Sequence, residues 1–428
     1  MEKLFQLKQK GTTVRTEILA GLTTFMTMAY IIFVNPSLLS MAGMDFGAVM
    51  TATILSAALT TILMGLLTNY PFALASGMGL NAFFAFVVAS VAGWQTALGA
   101  VFISGIVFIL LAVTGAIGYI DRAIPVSLKK AISAGIGLFI ALIGLSNAGI
   151  VVSNPDTLVS LGNLSSPVTL LAAIGLGITA VLMALRIRGA ILIGIVLTTI
   201  VGMFTGVTTI PAGLSDIFGM PHSIAPVLFK LDILGALRLG FFTIFAFLFV
   251  DVFDTLGTVM GTGAKAGFLD KEGHLPKINK IMLVDAIGTV GGSLLGTSTV
   301  TTYVESTAGI SEGGKTGLTA VTTGVLFLLA LFLAPLALII PGAATAPALI
   351  IVGVLMVSSV TGINFDDFTE AFPAFLVIIC MPLMYSIATG IAAGFLAYPI
   401  VKVVAGRHKD VHWLMYVLGA IALVHFIL

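Results

Sequence analysis

The sequence predicts an all-α polytopic membrane protein with about 14 transmembrane segments, arranged as two inverted repeats of seven spans. Three observations lead to this prediction. Hydrophobic residues make up 59% of the 428 residues and charged residues only 9%, and the mean hydropathy is +1.18. Apolar stretches long enough to cross a bilayer as helices follow one another along the whole chain. The two halves of the chain also carry similar segments in the same order.

The composition excludes several classes of protein. Soluble domains contain roughly 25% charged residues, so this chain in water would expose far more apolar surface than soluble proteins tolerate. The formal net charge of +1 provides no basic face that neutralises phosphates, which argues against a nucleic-acid partner. The single cysteine, Cys380, excludes an internal disulfide and a thiolate metal cluster. We therefore expect the lipid bilayer as the surroundings, and no metal and no cofactor.

The apolar stretches divide the chain into two halves. The first repeat, residues 1–206, has predicted spans near 17–42, 48–68, 72–90, 97–119, 131–150, 168–185 and 189–206. A polar external linker is predicted at 207–235. The second repeat, residues 236–404, has predicted spans near 237–261, 280–296, 298–311, 316–339, 345–362, 369–385 and 387–404. The tail, residues 405–428, is expected to be either a further membrane segment or an amphipathic interfacial helix.

Two pairs of similar segments support the internal repeat. Residues 95–112 resemble 315–330, and residues 124–137 resemble 340–353. A repeat with an odd number of spans must be inverted in its second copy. Chance recurrence of Leu, Ala, Gly and Val in membrane segments is the alternative explanation.

The positive charges predict the orientation. Of the 19 Lys and Arg residues, all but Lys230 and Arg238 fall in segments that this topology places on the side of the N-terminus. Because such residues collect on the cytoplasmic side, the N-terminus is expected to be cytoplasmic.

Two carboxylates interrupt the apolar stretch FLFVDVFDTLGTVMGTG, residues 247–263. Asp251 and Asp254 are three residues apart, which places them on neighbouring positions of one helix face. A carboxylate at membrane depth is costly and indicates a polar cavity or an ion pathway. The nearby Gly257 is expected to let another backbone approach. The alternative is a structural role, in which either acid caps a half-helix or accepts a neighbouring hydroxyl.

A second polar segment, residues 291–317, combines Gly, Ser and Thr with one acid, Glu305. Residues 297–304, TSTVTTYV, predict a short strand followed by a half-helix that begins near Glu305. Extended backbone at membrane depth is tolerated where it lines a cavity or is buried in protein. Glu305 is a candidate ligand or proton site, with a buried packing role as the alternative, and Thr302 is a candidate substrate contact.

The corresponding segment of the first repeat is NYPFALASGMGLNAFFAF, residues 69–86. Alignment of the two copies sets Asn81 opposite Glu305, and interrupted spans in corresponding positions indicate a transporter binding site. A capping or interhelical role of Asn81 is the alternative. Four aromatic residues near the acids can stack on a planar ligand, although packing is the commoner role of Phe in a span: Phe83, Phe84, Phe249 and Phe253. Asp285 is interpreted as an interfacial acid or a strut between helices.

Four motifs together resemble the AzgA-like family of adenine/guanine/hypoxanthine permeases. They are TMAYIIFVNPSLLSMAG from residue 27, ASGMGLNAFFAF from 75, FVDVFDTLGT from 249 and GTSTVTTYVESTAGISEGGKTGL from 296. The resemblance implies the nucleobase/ascorbate transporter fold, with a core domain of spans 1–4 and 8–11 (17–119 and 237–339). A gate domain of spans 5–7 and 12–14 (131–206 and 345–404) and short antiparallel strands in spans 3 and 10 are implied as well.

The resemblance also implies roles for individual residues. It places the span-8 acid at Asp254, the span-10 acid at Glu305 and the span-3 polar residue at Asn81. Phe253, Phe83 and Thr302 are candidate substrate contacts from their positions near these residues. Glu305, Asp254 and Asp251 are the expected proton-coupling residues. Thr258 stands where related uracil carriers have a histidine, so a histidine relay is not expected.

The expected function is therefore that of a transporter and not of an enzyme: a proton-coupled symporter that imports purine nucleobases through the inner (plasma) membrane by an elevator-like movement. Alternatives are an anion carrier of the same fold, for sulfate or bicarbonate, a passive channel, and an intramembrane aspartyl protease using Asp251 and Asp254. The protease interpretation lacks two acids from different helices and the usual GxGD context. The preferred purine and the formation of a homodimer are left open by the sequence.

Overall fold

The structure is a computed structural model that describes residues 2–211, 213, 217–270 and 274–427. Parts of the predicted linker, residues 212 and 214–216, lie outside the described residues, as does Lys271, one of the cations assigned to the cytoplasmic side. The described chain is almost entirely helical, with four short strands.

The first half contains eleven α-helices and three strands. A single turn of π-helix, Phe84–Val88, continues α5. The elements are α1 Glu2–Phe5, α2 Val14–Met28, α3 Ile31–Ser40, α4 Phe46–Thr68, β1 Leu74–Ser76, α5 Met78–Phe83, α6 Ala89–Ala92, α7 Trp94–Thr114, α8 Ile117–Ala123, α9 Val126–Asn147, β2 Val151–Asn154, β3 Leu158–Leu161, α10 Pro167–Ala184 and α11 Ala190–Phe204.

The second half follows the same alternation of long helices with one interrupted segment. Its elements are α12 Ile233–Arg238, α13 Phe241–Ala266, α14 Ile278–Leu295, β4 Val300–Thr302, α15 Ser306–Ser311, α16 Gly317–Ala330, α17 Ala334–Ile339, α18 Gly342–Val357, α19 Phe368–Leu383, α20 Ile387–Val404 and α21 Trp413–Ile427.

Within the described residues, 10 helical segments are long and apolar enough to cross a membrane. Shorter apolar helices occupy Met78–Ala92, Ala190–Phe204, Phe368–Leu383 and Trp413–Val424. The protein is therefore a multi-pass, mostly helical membrane protein. The count of 14 spans and the inversion of the repeats remain predictions.

The two predicted interrupted segments form a small antiparallel sheet in the interior. β1 pairs with β4 so that Leu74 faces Thr302, Ala75 faces Thr301 and Ser76 faces Val300. All six strand residues are buried. Each strand leads into a helix of six residues, α5 after β1 and α15 after β4. The predicted strands in these two segments are thus present.

The long helices pack in two groups. In one group α16 packs against α2 and α4, and α14 packs against α4 and α7. In the other group α9 packs against α18 and α19, α10 against α11 and α18, and α19 against α20. Whether these groups move as core and gate domains remains a prediction.

A buried carboxylate fixes the start of α16. Glu17 on α2 is 0% exposed, and its oxygens accept the backbone N–H groups of Lys315, Thr316 and Thr319. The Thr319 hydroxyl donates to Glu17 Oε2 at 2.6 Å. Since the first N–H groups of a helix have no partner within the helix, Glu17 supplies the partners that the membrane cannot.

Two features were not predicted from the sequence. β2 and β3 form a hairpin in the loop before α10, where the Asn154 side chain accepts the N–H groups of Asp156 and Thr157 and closes the turn. At the other end of the chain, α21 packs against α20, and Trp413 donates its indole N–H to the Tyr119 hydroxyl.

A buried ionic cluster joins α9, α19 and α20. Lys402 is 0% exposed, and its Nζ lies 2.6 Å from Glu370 Oε1 and 4.0 Å from Asp367 Oδ2. The Glu370 carboxylate also accepts the hydroxyls of Ser127 and Tyr398. A buried ammonium group is tolerated only with a close carboxylate and further hydrogen bonds, and this cluster provides both.

The cluster continues to the surface through Arg407. Its Nη1 lies 2.6 Å from Asp367 Oδ2, and its Nε lies 2.8 Å from Asp410 Oδ2. Hydrogen bonds from Thr369 and from Arg407 hold the pKa of the Asp367 carboxyl below its usual range. The Lys402 side chain is buried, whereas the Arg407 side chain is 43% exposed, so the two cations are expected to differ in their effect on stability.

Replacement of Lys402 by Met should destabilise the protein by about 3 kcal/mol, because removal of one partner leaves the Glu370 charge without its buried cation. The thermal melting temperature of the purified protein in detergent measures the effect. The matched control is Arg407→Gln, whose exposed ion pairs contribute about 0–1 kcal/mol. Equal melting temperatures for the two variants would contradict this assignment.

Candidate functional site

The candidate site is built around the ends of β1 and β4. Hydrogen bonds continue the pairing beyond the strands, with Gly77 N donating to Thr299 O at 3.1 Å and Tyr303 N donating to Ala73 O at 2.9 Å. Both chain segments therefore leave the sheet at fixed positions, and they lead directly to Asn81 and Glu305.

Glu305 directly precedes α15 and is partly exposed. The hydroxyl of Tyr30, in the break between α2 and α3, donates to Glu305 Oε1 at 2.8 Å. The Tyr303 hydroxyl donates to the backbone oxygen of Ser76, which ties the Glu305 segment to β1. Two aromatic hydroxyls thus set the position of this carboxylate.

Asp254 on α13 is also partly exposed. Its carboxylate interacts with the Thr301 side chain and repels the Glu305 carboxylate electrostatically. The span-8 acid and the span-10 acid therefore lie near each other, although 51 positions separate them in the chain.

The hydroxyl beside Asp254 belongs to Thr301 and not to Thr302, the residue selected from the sequence. Successive strand residues point to opposite faces of a sheet. The Thr302 hydroxyl donates to Asp285 Oδ1 at 3.2 Å and thus lies on the other face of β4. A role of Thr302 as a direct substrate contact remains untested.

The two acids of α13 have different surroundings. Asp251 is 1% exposed, and its Oδ2 accepts the Thr289 hydroxyl at 2.7 Å. Asp254 is the more accessible of the two. The interpretation of Gly257 was wrong: nothing lies within 4 Å of the position that a Cβ atom would take there, so no backbone packs against it. The reason is that this side of α13 is exposed.

Asn81 is 0% exposed, and neither its amide nitrogen nor its amide oxygen has a hydrogen-bond partner. Most buried side-chain amides in proteins are paired. By contrast, Asn35 is also 0% exposed but donates to the hydroxyls of Thr53, Ser76 and Thr297. Asn81 therefore keeps an unpaired donor and an unpaired acceptor in the interior, in the helix that follows β1.

The aromatic candidates lie in two places. Phe83 and Phe84 are 0% exposed, and the ring of Phe83 lies 4.9 Å from that of Phe247. Phe253 is partly exposed; its ring lies 4.4 Å from that of Phe249 and 5.3 Å from Lys129 Nζ on α9. Phe253 is therefore the more accessible candidate for stacking on a ligand.

Sequence reasoning missed three polar residues of this region, Tyr30, Thr301 and Tyr303 at the acids. Asp285, interpreted as an interfacial acid or a strut, lies behind the strand, where it accepts the Thr302 hydroxyl. Tyr30 stands in the TMAY motif, a signal that was read only as a family resemblance. Within the described part of the chain, no group of three or more His, Cys, Asp or Glu residues is arranged to hold a metal ion. A cavity of about 410 Å³ lies away from the acids, between α3 and the start of α18.

Comparisons with known proteins show the family of this chain. The sequence profile of the Permease family, the nucleobase/ascorbate permeases, matches residues 15–417. The chain belongs to this family. It is 48% identical over 413 residues to the adenine permease AdeP of Escherichia coli K12, covering 96% of this chain and 92% of AdeP. It is 46% identical over 443 residues to the guanine/hypoxanthine permease PbuG of Bacillus subtilis 168, covering 100% of this chain and 99% of PbuG.

Solved structures resemble this permease in fold. The transmembrane domain of the cyanobacterial bicarbonate transporter BicA aligns with a TM-score of 0.65 at 19% identity, covering 89% of this chain and 97% of that domain. SLC26A9 aligns with a TM-score of 0.62 at 13% identity, covering 92% of this chain and 66% of SLC26A9. At these identities the likeness concerns the fold alone.

Asp254→Asn should abolish nucleobase binding in a folded, membrane-inserted protein, whereas Asp251→Asn should lower transport and leave measurable binding. The reason is that Asp254 is accessible next to Glu305, whereas an Asn at 251 still accepts the Thr289 hydroxyl. Stabilisation of each purified variant by added base measures binding. The opposite ranking would assign the ligand to Asp251 instead.

Proposed function

We propose that this permease imports purine nucleobases, such as adenine, guanine and hypoxanthine, together with protons. The observation that carries the proposal is the buried, unpartnered amide of Asn81 in the β1 segment. The paired β4 segment holds the partly exposed Glu305, and the partly exposed Asp254 lies beside it on α13. The names of the relatives AdeP and PbuG support a purine as the substrate.

The chemistry of a purine edge suits these groups. Ring N–H and exocyclic amino groups donate hydrogen bonds, and carboxylates are acceptors for two such donors side by side. Carbonyl and ring-nitrogen acceptors of the base need hydrogen-bond donors, and the NH₂ group of the Asn81 amide is such a donor. The amide oxygen of Asn81 offers a further acceptor. Stacking on Phe253 would add an attraction for any flat heterocycle.

The two carboxylates also support proton coupling. Asp254 and Glu305 repel each other, and two like charges in a poorly solvated site favour uptake of one proton. Binding of a base between them further removes water and makes a double negative charge costlier. A proton that binds to these carboxylates with the base on one side of the membrane and is released with it on the other is sufficient for symport. Neither a metal nor a redox cofactor is needed.

The proposed setting is the plasma membrane, with the N-terminus in the cytoplasm. The distribution of Lys and Arg residues supports this orientation. An elevator-like movement of the core past the gate is proposed from the shared fold, which is an argument by analogy. An anion carrier of the same fold is disfavoured, because sulfate or bicarbonate would meet two negative side chains.

Uptake of labelled hypoxanthine, in cells without their own nucleobase carriers, should be competed by other purines and not by uracil or sulfate. Accumulation should also collapse when a protonophore removes the proton gradient, because the coupling groups proposed are carboxylates.

Cells carrying the empty vector provide the background, and counterflow in de-energised vesicles checks that the protein is still active. Accumulation that depends on sodium and ignores the protonophore would contradict proton coupling. Uptake that never exceeds equilibrium would indicate a channel, and competition by sulfate or bicarbonate would indicate the anion carrier.

Glu305→Gln should weaken purine binding by about 1.5–3 kcal/mol, the contribution of a hydrogen bond to a charged group, or about tenfold or more in affinity. The substitution keeps the size of the side chain and an oxygen for the Tyr30 hydroxyl. Equilibrium binding at several pH values measures the change. Affinity and pH dependence identical to those of the unaltered protein would indicate that Glu305 has only a packing role.

A further inference from the structure

Two strands form the sheet at the candidate site, so each has an outer edge without a strand partner. Backbone N–H groups on such an edge must be paired, because water is absent at membrane depth. In this permease threonine hydroxyls on the surrounding helices supply the partners. Their arrangement differs between the two strands.

The outer edge of β1 needs a single threonine. The Thr61 hydroxyl on α4 accepts the N–H of Leu74 at 2.9 Å and donates to the carbonyl oxygen of Leu74 at 3.0 Å. The hydroxyl has a single proton to donate, and the carbonyl oxygen of the strand accepts it. No carboxylate takes part in these two bonds.

The outer edge of β4 is held by two threonines and two aspartates. The Thr289 hydroxyl on α14 accepts the N–H of Val300 at 3.2 Å and lies 2.7 Å from Asp251 Oδ2. The Val300 carbonyl oxygen is farther from this hydroxyl, at 3.3 Å. The proton therefore goes to Asp251, which leaves the lone pairs of the hydroxyl for the strand.

The second threonine repeats the pattern with the helices exchanged. The Thr255 hydroxyl on α13 accepts the N–H of Thr302 at 3.1 Å and donates to Asp285 Oδ1 on α14 at 2.8 Å. Asp251 and Thr255 are four residues apart on α13, as Asp285 and Thr289 are on α14, so each pair lies on one helix face. We call these four residues the Asp–Thr clasp.

The clasp pins alternate residues of β4. The clasp holds the backbone N–H groups of Val300 and Thr302 at the outer edge of the strand. The Thr302 hydroxyl faces Asp285, so Thr301 faces the opposite way, beside Asp254. A shift of one residue in this strand would exchange the two faces. The clasp thus fixes which hydroxyls meet the substrate.

We propose that Thr255 and Thr289, oriented by Asp285 and Asp251, are positioning residues that hold β4 in the register needed for nucleobase binding. The inference rests on the proposed function, because it assumes that the base binds on the Thr301 face. It assigns Asp285 a role in affinity, where the sequence suggested only an interfacial acid or a strut.

The test uses the full-length protein with Thr255→Val and Thr289→Val, which keep side-chain volume and remove the hydroxyl. Each should raise the Kd for hypoxanthine and the uptake KM at least tenfold, with the maximal uptake rate per folded protein within about threefold of the unaltered rate. Thr255→Ser and Thr289→Ser restore the hydroxyl and should bring both values back to within about threefold.

The matched control is Thr262→Val. Thr262 is also on α13 and 2% exposed, but its hydroxyl donates to the carbonyl oxygen of Thr258 in its own helix, at 2.7 Å. This variant should leave Kd unchanged. A fall in melting temperature with unchanged Kd for the two clasp variants would overturn the proposal, because it would show a role in stability alone.

A second measurement separates this proposal from the proposed function. Thr301 is 1% exposed, so in a protein whose Cys380 is replaced by Ala, Thr301→Cys should react slowly with a small thiol reagent, and addition of Thr289→Val should raise that rate at least tenfold. This result does not require a substrate. If the unaltered protein binds no nucleobase, the proposed function is wrong, and the proposed role of the clasp in nucleobase affinity is wrong as well. The labelling rates would then still show whether Thr289 positions the strand. Labelling rates unaffected by Thr289→Val would overturn the positioning role in either case.

Discussion

The pairing of backbone groups at membrane depth is the constraint on which the rest of this structure depends. Helices satisfy it internally, but the substrate region requires the chain to leave helical geometry at β1 and β4. The surrounding helices compensate with hydroxyls, from Thr61 in the first half and from Thr255 and Thr289 in the second. Much of the buried polarity of the protein is thus explained by two strands of three residues each.

The sequence predicted a multi-pass, mostly helical membrane protein, because length and hydropathy determine where a helix can cross a bilayer. The predicted span 387–404 coincides with α20. The strand β4 was expected from the β-branched, hydroxyl-rich run before Glu305, and β1 was implied by the family resemblance. The β2–β3 hairpin was missed because its strands have four residues each and its closure depends on the Asn154 side chain.

The candidate site was predicted in part. The acids stood out because charge in an apolar stretch is conspicuous, but their partners come from distant segments, as with the Tyr30 hydroxyl on Glu305. The direction of a hydroxyl cannot be read from composition either, so Thr302 was chosen where Thr301 lies beside Asp254. Sequence thus predicts which residue types form the site, whereas the register of β4 decides which of them face it.

Helix α13 packs against α7 of the first group, and Lys129 on α9 of the second group contacts the ring of Phe253 on α13 beside the candidate site. In the proposed elevator movement Phe253 travels with α13, and this contact breaks. A cation–π contact contributes about 0.5–2 kcal/mol, which shifts a two-state population by roughly 2-fold to 30-fold at room temperature. The contact is strong enough to favour the arrangement seen in the structure, yet weak enough for thermal motion to break it in every transport cycle. In the proposed movement, the contact between Lys129 and Phe253 would therefore favour one position of α13 without preventing its change to the other.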